Sequence, residues 1–145
     1  MKSAPLSLFL LLLIGCASTQ SLSSLQRRAI EAKELEGSFN DAFKATLQVL
    51  QDKGYVITHT DYKAGVIKGD TGWIPKPWSV SQKYEVSAII EEWEKNKVKE
   101  RITFILQKAE GLLTQRSIII EDPVALQKIY DDIQKEIFVR QNLNK

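Results

Sequence analysis

One thiol and one imidazole, Cys16 and His59, are the chain's whole supply of those two groups in 145 residues. A cysteine held beside a histidine can run nucleophilic catalysis, and either can ligate a metal among other donors. Cys16, however, closes the apolar run that opens the chain, whereas His59 lies in the strand-like run YVITHT at residues 55–60. A metal site needs three or four ligands in a defined arrangement, and no spacing here supplies them. His59 therefore reads as an ordinary surface or half-buried residue.

Carboxylates cluster at Glu91, Glu92 and Glu94, and again at Asp131 and Asp132. A pair of them could act as acid and base, as in sugar hydrolysis. The first group instead sits where a strand gives way to a lysine-rich turn, a place where charge keeps a sheet edge soluble. The second lies on a helix whose apolar stripe faces elsewhere. Runs of the form G-x-x-x-x-G-K-S/T, G-x-G-x-x-G or G-x-S-x-G are absent, so nucleotide binding and the serine-hydrolase elbow have no support. The expectation is a non-enzymatic protein with no catalytic residues, no metal and no cofactor.

The stretch GWIPKPWSV is different in kind. Two tryptophans and two prolines within residues 73–78 make a stiff aromatic loop, and tryptophan is enriched where one protein grips another. Trp73, Ile74 and Trp78 are thus candidate partner-binding residues, or a contact for the membrane headgroup layer. The alternative is that they fold back over a sheet face left open by the helices.

Leu6 to Ile14 is apolar except for Ser7, far short of the roughly 20 residues a membrane-spanning helix takes. Lys2 precedes it and small residues follow, the pattern of a secretory signal peptide. Leu13, Ile14, Gly15 and Cys16 resemble the lipobox of bacterial lipoproteins, although a secretory signal with a chance cysteine has the same outline. The lipobox resemblance implies cleavage between Gly15 and Cys16 and a diacylglyceryl group on the Cys16 sulfur. With no other cysteine available for pairing, that use of the thiol fits an exported chain. Two or three acyl chains, at about 0.8 kcal/mol per buried methylene, anchor firmly without a transmembrane helix. Ala17 rather than Asp follows the cysteine, which in such families implies the periplasmic face of the outer membrane.

Residues 1–15 are then a signal peptide, 16–25 a lipidated terminus and tether, and 26–141 a single domain. The tether ASTQSLSS is small and polar and behaves as flexible coil. Cleavage removes only Lys2 among the charged residues, leaving 19 Lys and Arg against 18 Asp and Glu. That balance lacks the basic footprint of a nucleic-acid binder.

Gln26 to Glu36 shows no clean face at either period and leans to an edge strand. Ser38 as N-cap, with Asp41 three residues on, opens a helix ending at Gly54. Its apolar stripe is Phe39, Ala42, Phe43, Leu47 and Leu50, flanked by Thr46 and Val49. Strands follow at Tyr55–Thr60, Val66–Gly69, Lys83–Trp93, Val98–Gln107 and Leu112–Glu121. Asp122 and Pro123 start a last helix striped by Leu126, Ile129, Tyr130, Ile133 and Ile137. The expected fold is α+β and two-layer, an antiparallel sheet packed against two amphipathic helices.

Three passages together, RRAIEAKELEGSFNDAFKATLQVLQDKGYVI, DYKAGVIKGD and IIIEDPVALQKIYDDIQKEIF, resemble a family of small bacterial lipoproteins of unassigned activity. The signature is Leu50, Gln51, Asp52, Lys53, Gly54 and Tyr55, with the Asp122–Pro123 step before the closing helix. The order of elements also looks like the modules of outer-membrane accessory lipoproteins, such as the C component of the barrel-assembly machinery. Neither resemblance brings catalytic residues. What they imply is an envelope protein held by its acyl chains that binds a protein partner or supports an assembly; a carrier of a small apolar ligand is the alternative. Mass spectrometry of the mature chain is expected to find an acylated amino-terminal Cys16. Fractionation should find that Cys16→Ser leaves the membrane pellet.

Overall fold

The computed structural model describes residues 32–77, 80–110 and 114–143. In chain order they form β1 (Ala32–Glu36), α1 (Phe39–Asp52), β2 (Val56–Asp61), β3 (Val66–Asp70), β4 (Ile74–Lys76), β5 (Val80–Glu94), β6 (Lys97–Glu110), β7 (Thr114–Ile120) and α2 (Pro123–Leu143). Strands β5 and β6 form a long antiparallel hairpin, in one register from Val80↔Glu110 to Glu92↔Val98, with a shift before the last pair Glu94↔Lys97. Asn96 turns it with a φ of 58°, a left-handed angle that asparagine tolerates better than most residues.

Each outer edge of this hairpin carries two strands end to end. On β6, β1 pairs with residues 97–101 and β7 with residues 104–110. On β5, β3 pairs with residues 85–89 and β4 with residues 80–82. Strand β2 pairs only with β3 and closes that side, giving a seven-stranded sheet in which each strand pair is antiparallel.

Alternation decides which face is buried. Val86, Ala88 and Ile90 of β5 and Val98, Ile102 and Phe104 of β6 point to one side and form the core with Leu35 and Ile67. Ala42, Phe43, Ala45, Val49 and Leu50 of α1, with Leu126, Tyr130, Ile133 and Ile137 of α2, cover them. The stripe expected of each helix is therefore the face that packs. The α+β composition with an antiparallel sheet is present, but the sheet is larger than two helices can cover. Its far end, where β4 and β7 flank the start of β5 and the end of β6, has no buried residue.

The long strands run past their expected limits of Lys83–Trp93 and Val98–Gln107, because the ladder continues through polar residues that show no periodicity. The tryptophan segment contains a short strand: β4 includes Pro75 within a three-residue edge strand, a position where a missing N–H is tolerated. At the start of α1 the Ser38 hydroxyl oxygen accepts from the Asp41 N–H at 3.1 Å and the hydroxyl donates to the Asp41 carboxylate at 2.7 Å. The capping pair is thus made side chain to side chain, rather than with the carboxylate on the Ser38 backbone.

Two close contacts lock the covered half. Gly65, with φ +67°, accepts through its carbonyl from Ile90 N–H at 2.9 Å, and a Cβ there would collide with the Ile90 oxygen. Between the ends of β1 and β7 the edge of β6 is open, and Tyr130 fills the gap. Its buried hydroxyl accepts from Ile102 N–H at 3.0 Å and lies 3.4 Å from the Glu100 carbonyl, to which it donates. Removing it strands a buried donor. Tyr130→Phe is expected to lower unfolding free energy by about 1–3 kcal/mol, read as an earlier urea midpoint at unchanged slope.

Candidate functional site

Gly15, Cys16 and Trp78 lie outside the described residues. Trp73 and Ile74 stand at the uncovered end of the sheet, 43% and 36% exposed. Ile74 pairs with Gln82 in the plane of the sheet, so this part of the segment extends the sheet sideways and does not lie over its face. The Lys83 ammonium sits 5.5 Å from the Trp73 ring centroid and 2.7 Å from the Glu85 carboxylate. The result is an aromatic edge held by a cation, with Ile118 and Ile119 of β7 exposed on the opposite rim of the same sheet end.

The groups weighed for chemistry are dispersed. His59 is exposed on β2 across from Lys68. Glu91 is opposite Lys99, and Glu94 pairs with Lys97 at 3.1 Å beside the hairpin turn. Asp131 accepts from Gln127 Nε2 at 2.7 Å. Asp132 takes a 2.7 Å bond from Lys53 at the end of α1, which holds its carboxyl below the ordinary aspartate value. These carboxylates tie elements together. Among the described residues no group of three or more His, Cys, Asp or Glu is placed to hold a metal ion.

The uncovered face of the sheet carries two grooves. One, of about 550 Å³, is lined by Ala32, Lys33, Glu34, Glu91, Trp93, Lys99 and Arg101, with the Lys99 ammonium 4.9 Å from the Trp93 centroid. Lys99 lies in register between Glu34 and Glu91, whereas Arg101 lies between Ala32 and Ile89. The other, of about 380 Å³, runs over Thr58, Lys68, Asp70, Glu85, Ser87 and Ile105. Charged and polar residues line both, beside Trp93 in the first and Val86 and Ile105 in the second.

One titratable group escaped the sequence reading. Glu100 occupies the buried phase of β6 between Val98 and Ile102 and is fully buried. Its Oε1 lies 2.8 Å from the Thr46 hydroxyl of α1, which is also 2.9 Å from the Ala42 carbonyl; Oε2 has no partner among the described residues. A hydroxyl has one proton for these two acceptors. The arrangement closes when Glu100 is protonated and donates to Thr46, which donates to Ala42. Lys33, opposite Glu100 in β1, instead donates to Gln127 at 3.1 Å. Burial pushes the Glu100 carboxyl up to about 8, against a smaller lowering by the Thr46 bond. A glutamate within the apolar alternation Val98, Ile102, Phe104 was the signal available, but Thr46 lies 54 positions away in sequence.

No family model matches the chain, and no curated protein matches it. Among solved structures, one is described as the adenylate sensor from AMP-activated protein kinase in complex with 5-aminoimidazole-4-carboxamide 1-beta-D-ribofuranotide. It aligns over 73% of this chain and 94% of its own, at 12% identity and a TM-score of 0.43. A likeness that loose gives no ground for carrying over a fold or a ligand.

The Glu100 proton ties stability to pH. The native state keeps a proton that the unfolded chain releases near 4.5, so the Glu100 contribution to stability is fully present below that value. It falls as pH rises toward about 8, by at most about 1.4 kcal/mol per pH unit. Urea titrations at several pH values should show this slope in the parent and lose it in Glu100→Gln, whose amide N–H still donates to the Thr46 hydroxyl without an ionisable proton.

Proposed function

We propose that this chain is a non-enzymatic, lipid-anchored envelope protein whose two-layer α+β domain binds a protein partner or supports an envelope assembly. Its place is the periplasmic face of the outer membrane. The sequence from Leu13 to Cys16 supplies the anchor, and two or three acyl chains then confine the domain to a surface, raising its effective concentration for a partner held there. Trp73 and Ile74 supply the contact, with Trp78 beyond the described residues as its continuation.

The observation that carries the reading is the exposed pair Trp73 and Ile74 on a sheet end that the helices leave uncovered. Tryptophan beside an aliphatic residue, with a lysine over the ring and prolines stiffening the backbone, is a contact preorganised at little entropic cost. Both grooves on the open face carry charged residues and neither is enclosed, which favours a protein partner over a small apolar guest that needs a closed pocket.

Cross-linking pull-down from membranes tests the contact. Trp73→Ala and Trp78→Ala are expected to lose partners that the parent chain captures, while remaining in the membrane fraction. Capture of the same partners in the same amounts by both variants would remove the loop from the account.

A further inference from the structure

Of the edge strands β1, β2, β4 and β7, β2 and β7 are built differently. Strand β2 breaks its ladder with a register shift between Ile57 and His59, one of the devices by which edges avoid pairing with other chains. Strand β7 pairs without a shift along Thr114–Ile120, contains no proline and ends in three isoleucines. Two of these, Ile118 and Ile119, are 46% and 39% exposed.

The orientation of its free groups follows from Tyr130. The N–H of Ile102 points to the β1/β7 side of β6, where it meets the Tyr130 hydroxyl. Even-numbered residues of β6 therefore turn their main-chain groups toward that side, and Phe104, Leu106 and Lys108 meet Ile120, Ile118 and Arg116 of β7. Alternation along an antiparallel ladder then leaves the odd residues Gln115, Ser117 and Ile119 with N–H and C=O facing outward.

The residues from Arg116 to Asp122 read R-S-I-I-I-E-D. Reversed and laid against itself about Ile119, this run matches Ile119 with Ile119, Ile118 with Ile120, Ser117 with Glu121 and Arg116 with Asp122. Each match is of odd with odd or even with even, as residues directly opposite on one sheet face must be. Shifting the axis to Ile118 or Ser117 sets Arg116 against isoleucine. Arg116 has no carboxylate within salt-bridge distance among the described residues, and Asp122 uses Oδ1 to cap α2 through Val124 and Ala125 N–H, both at 3.0 Å.

We infer that the occupant of this edge is a second copy of the chain, paired β7 to antiparallel β7 about a two-fold axis at Ile119. The charge complementarity is isologous, each copy giving its Arg116 to the other's Asp122. The four isoleucines at positions 118 and 120 meet on the helix side and the two at 119 on the other. The two sheets become one continuous sheet across the dimer, with Ser117 and Ile119 supplying the new main-chain bonds. This goes beyond the proposed function and holds whether or not Cys16 is acylated.

Cysteine scanning along the edge reads the register. In the full chain in its native membranes, with a mild oxidant added, the parent carrying only Cys16 sets the background. At a main-chain-bonded pair the Cα atoms lie about 5.5 Å apart, within disulfide reach. Ile119→Cys is therefore expected to give a disulfide-linked homodimer. Each Ser117 lies four positions from its own copy, about 13 Å at roughly 3.3 Å per residue, so Ser117→Cys and Gln115→Cys should stay at background. Adding Arg116→Asp, which sets like charges against each other, should abolish the Ile119→Cys dimer. Cross-linking at background for Ile119→Cys, equal yields at all three positions, capture of a different protein at 119, or a dimer that survives Arg116→Asp would each overturn the pairing.

Discussion

The structure depends on the ladder between β5 and β6. Thirteen residue pairs, Val80↔Glu110 to Glu92↔Val98, hold these strands in one register, and because side chains alternate, that register commits every even residue along it to the same face. A slip of one residue would exchange Val86, Ala88, Ile90, Ile102 and Phe104 for Glu85, Ser87, Ile89, Arg101 and Thr103. The helices have apolar stripes that match only the first set. Strands β1, β3, β4 and β7 add to the edges of this hairpin and β2 adds to β3, so their registers build on it.

The hairpin is longer than its cover. Over the half that α1 and α2 pack, polar groups are drawn inward: the open edge of β6 meets the Tyr130 hydroxyl, and Oε1 of the Glu100 carboxyl meets Thr46 while Oε2 has no partner among the described residues. A neutral acid in that seam costs less than a charged one, which is why burial moves its proton affinity so far. Over the other half no described residue covers either face, and there the sequence places Trp73, Ile74 and the isoleucines of β7. An uncovered end of sheet with stiff aromatic and β-branched side chains suits association, with proteins on one rim and with a second copy on the other.

Much of the covered half was readable before the structure. Phe39, Ala42, Phe43, Leu47 and Leu50 repeat at helical spacing because one face of α1 meets the sheet, and the same holds for Leu126, Tyr130, Ile133 and Ile137 of α2. The central strands alternate there because only one face is buried. Where neither face is buried the signal fades, so Val80–Gln82 and Lys108–Glu110 gave no sign of belonging to strands. Proline at 75 spoke against a strand, yet an edge strand of three residues does not need its N–H. Glu100 was a charged residue at an in-phase position of an apolar alternation, but its partner Thr46 is brought to it by tertiary packing that no local pattern records. The placement of β1 and β7 end to end on one edge of β6 is likewise a long-range fact.

Hydrogen exchange, followed by mass spectrometry on the full chain in native membranes and again after extraction and dilution, tests most directly whether the covered half is framework and the bare half is for association. The account requires Val86–Ile90 and Val98–Phe104 to exchange equally slowly in both states, and β4 and β7 to be slower in the membrane and to speed up on dilution. Protection gained in the membrane by α1 or α2 alone, with β4 and β7 exchanging at one rate in both states, would contradict it.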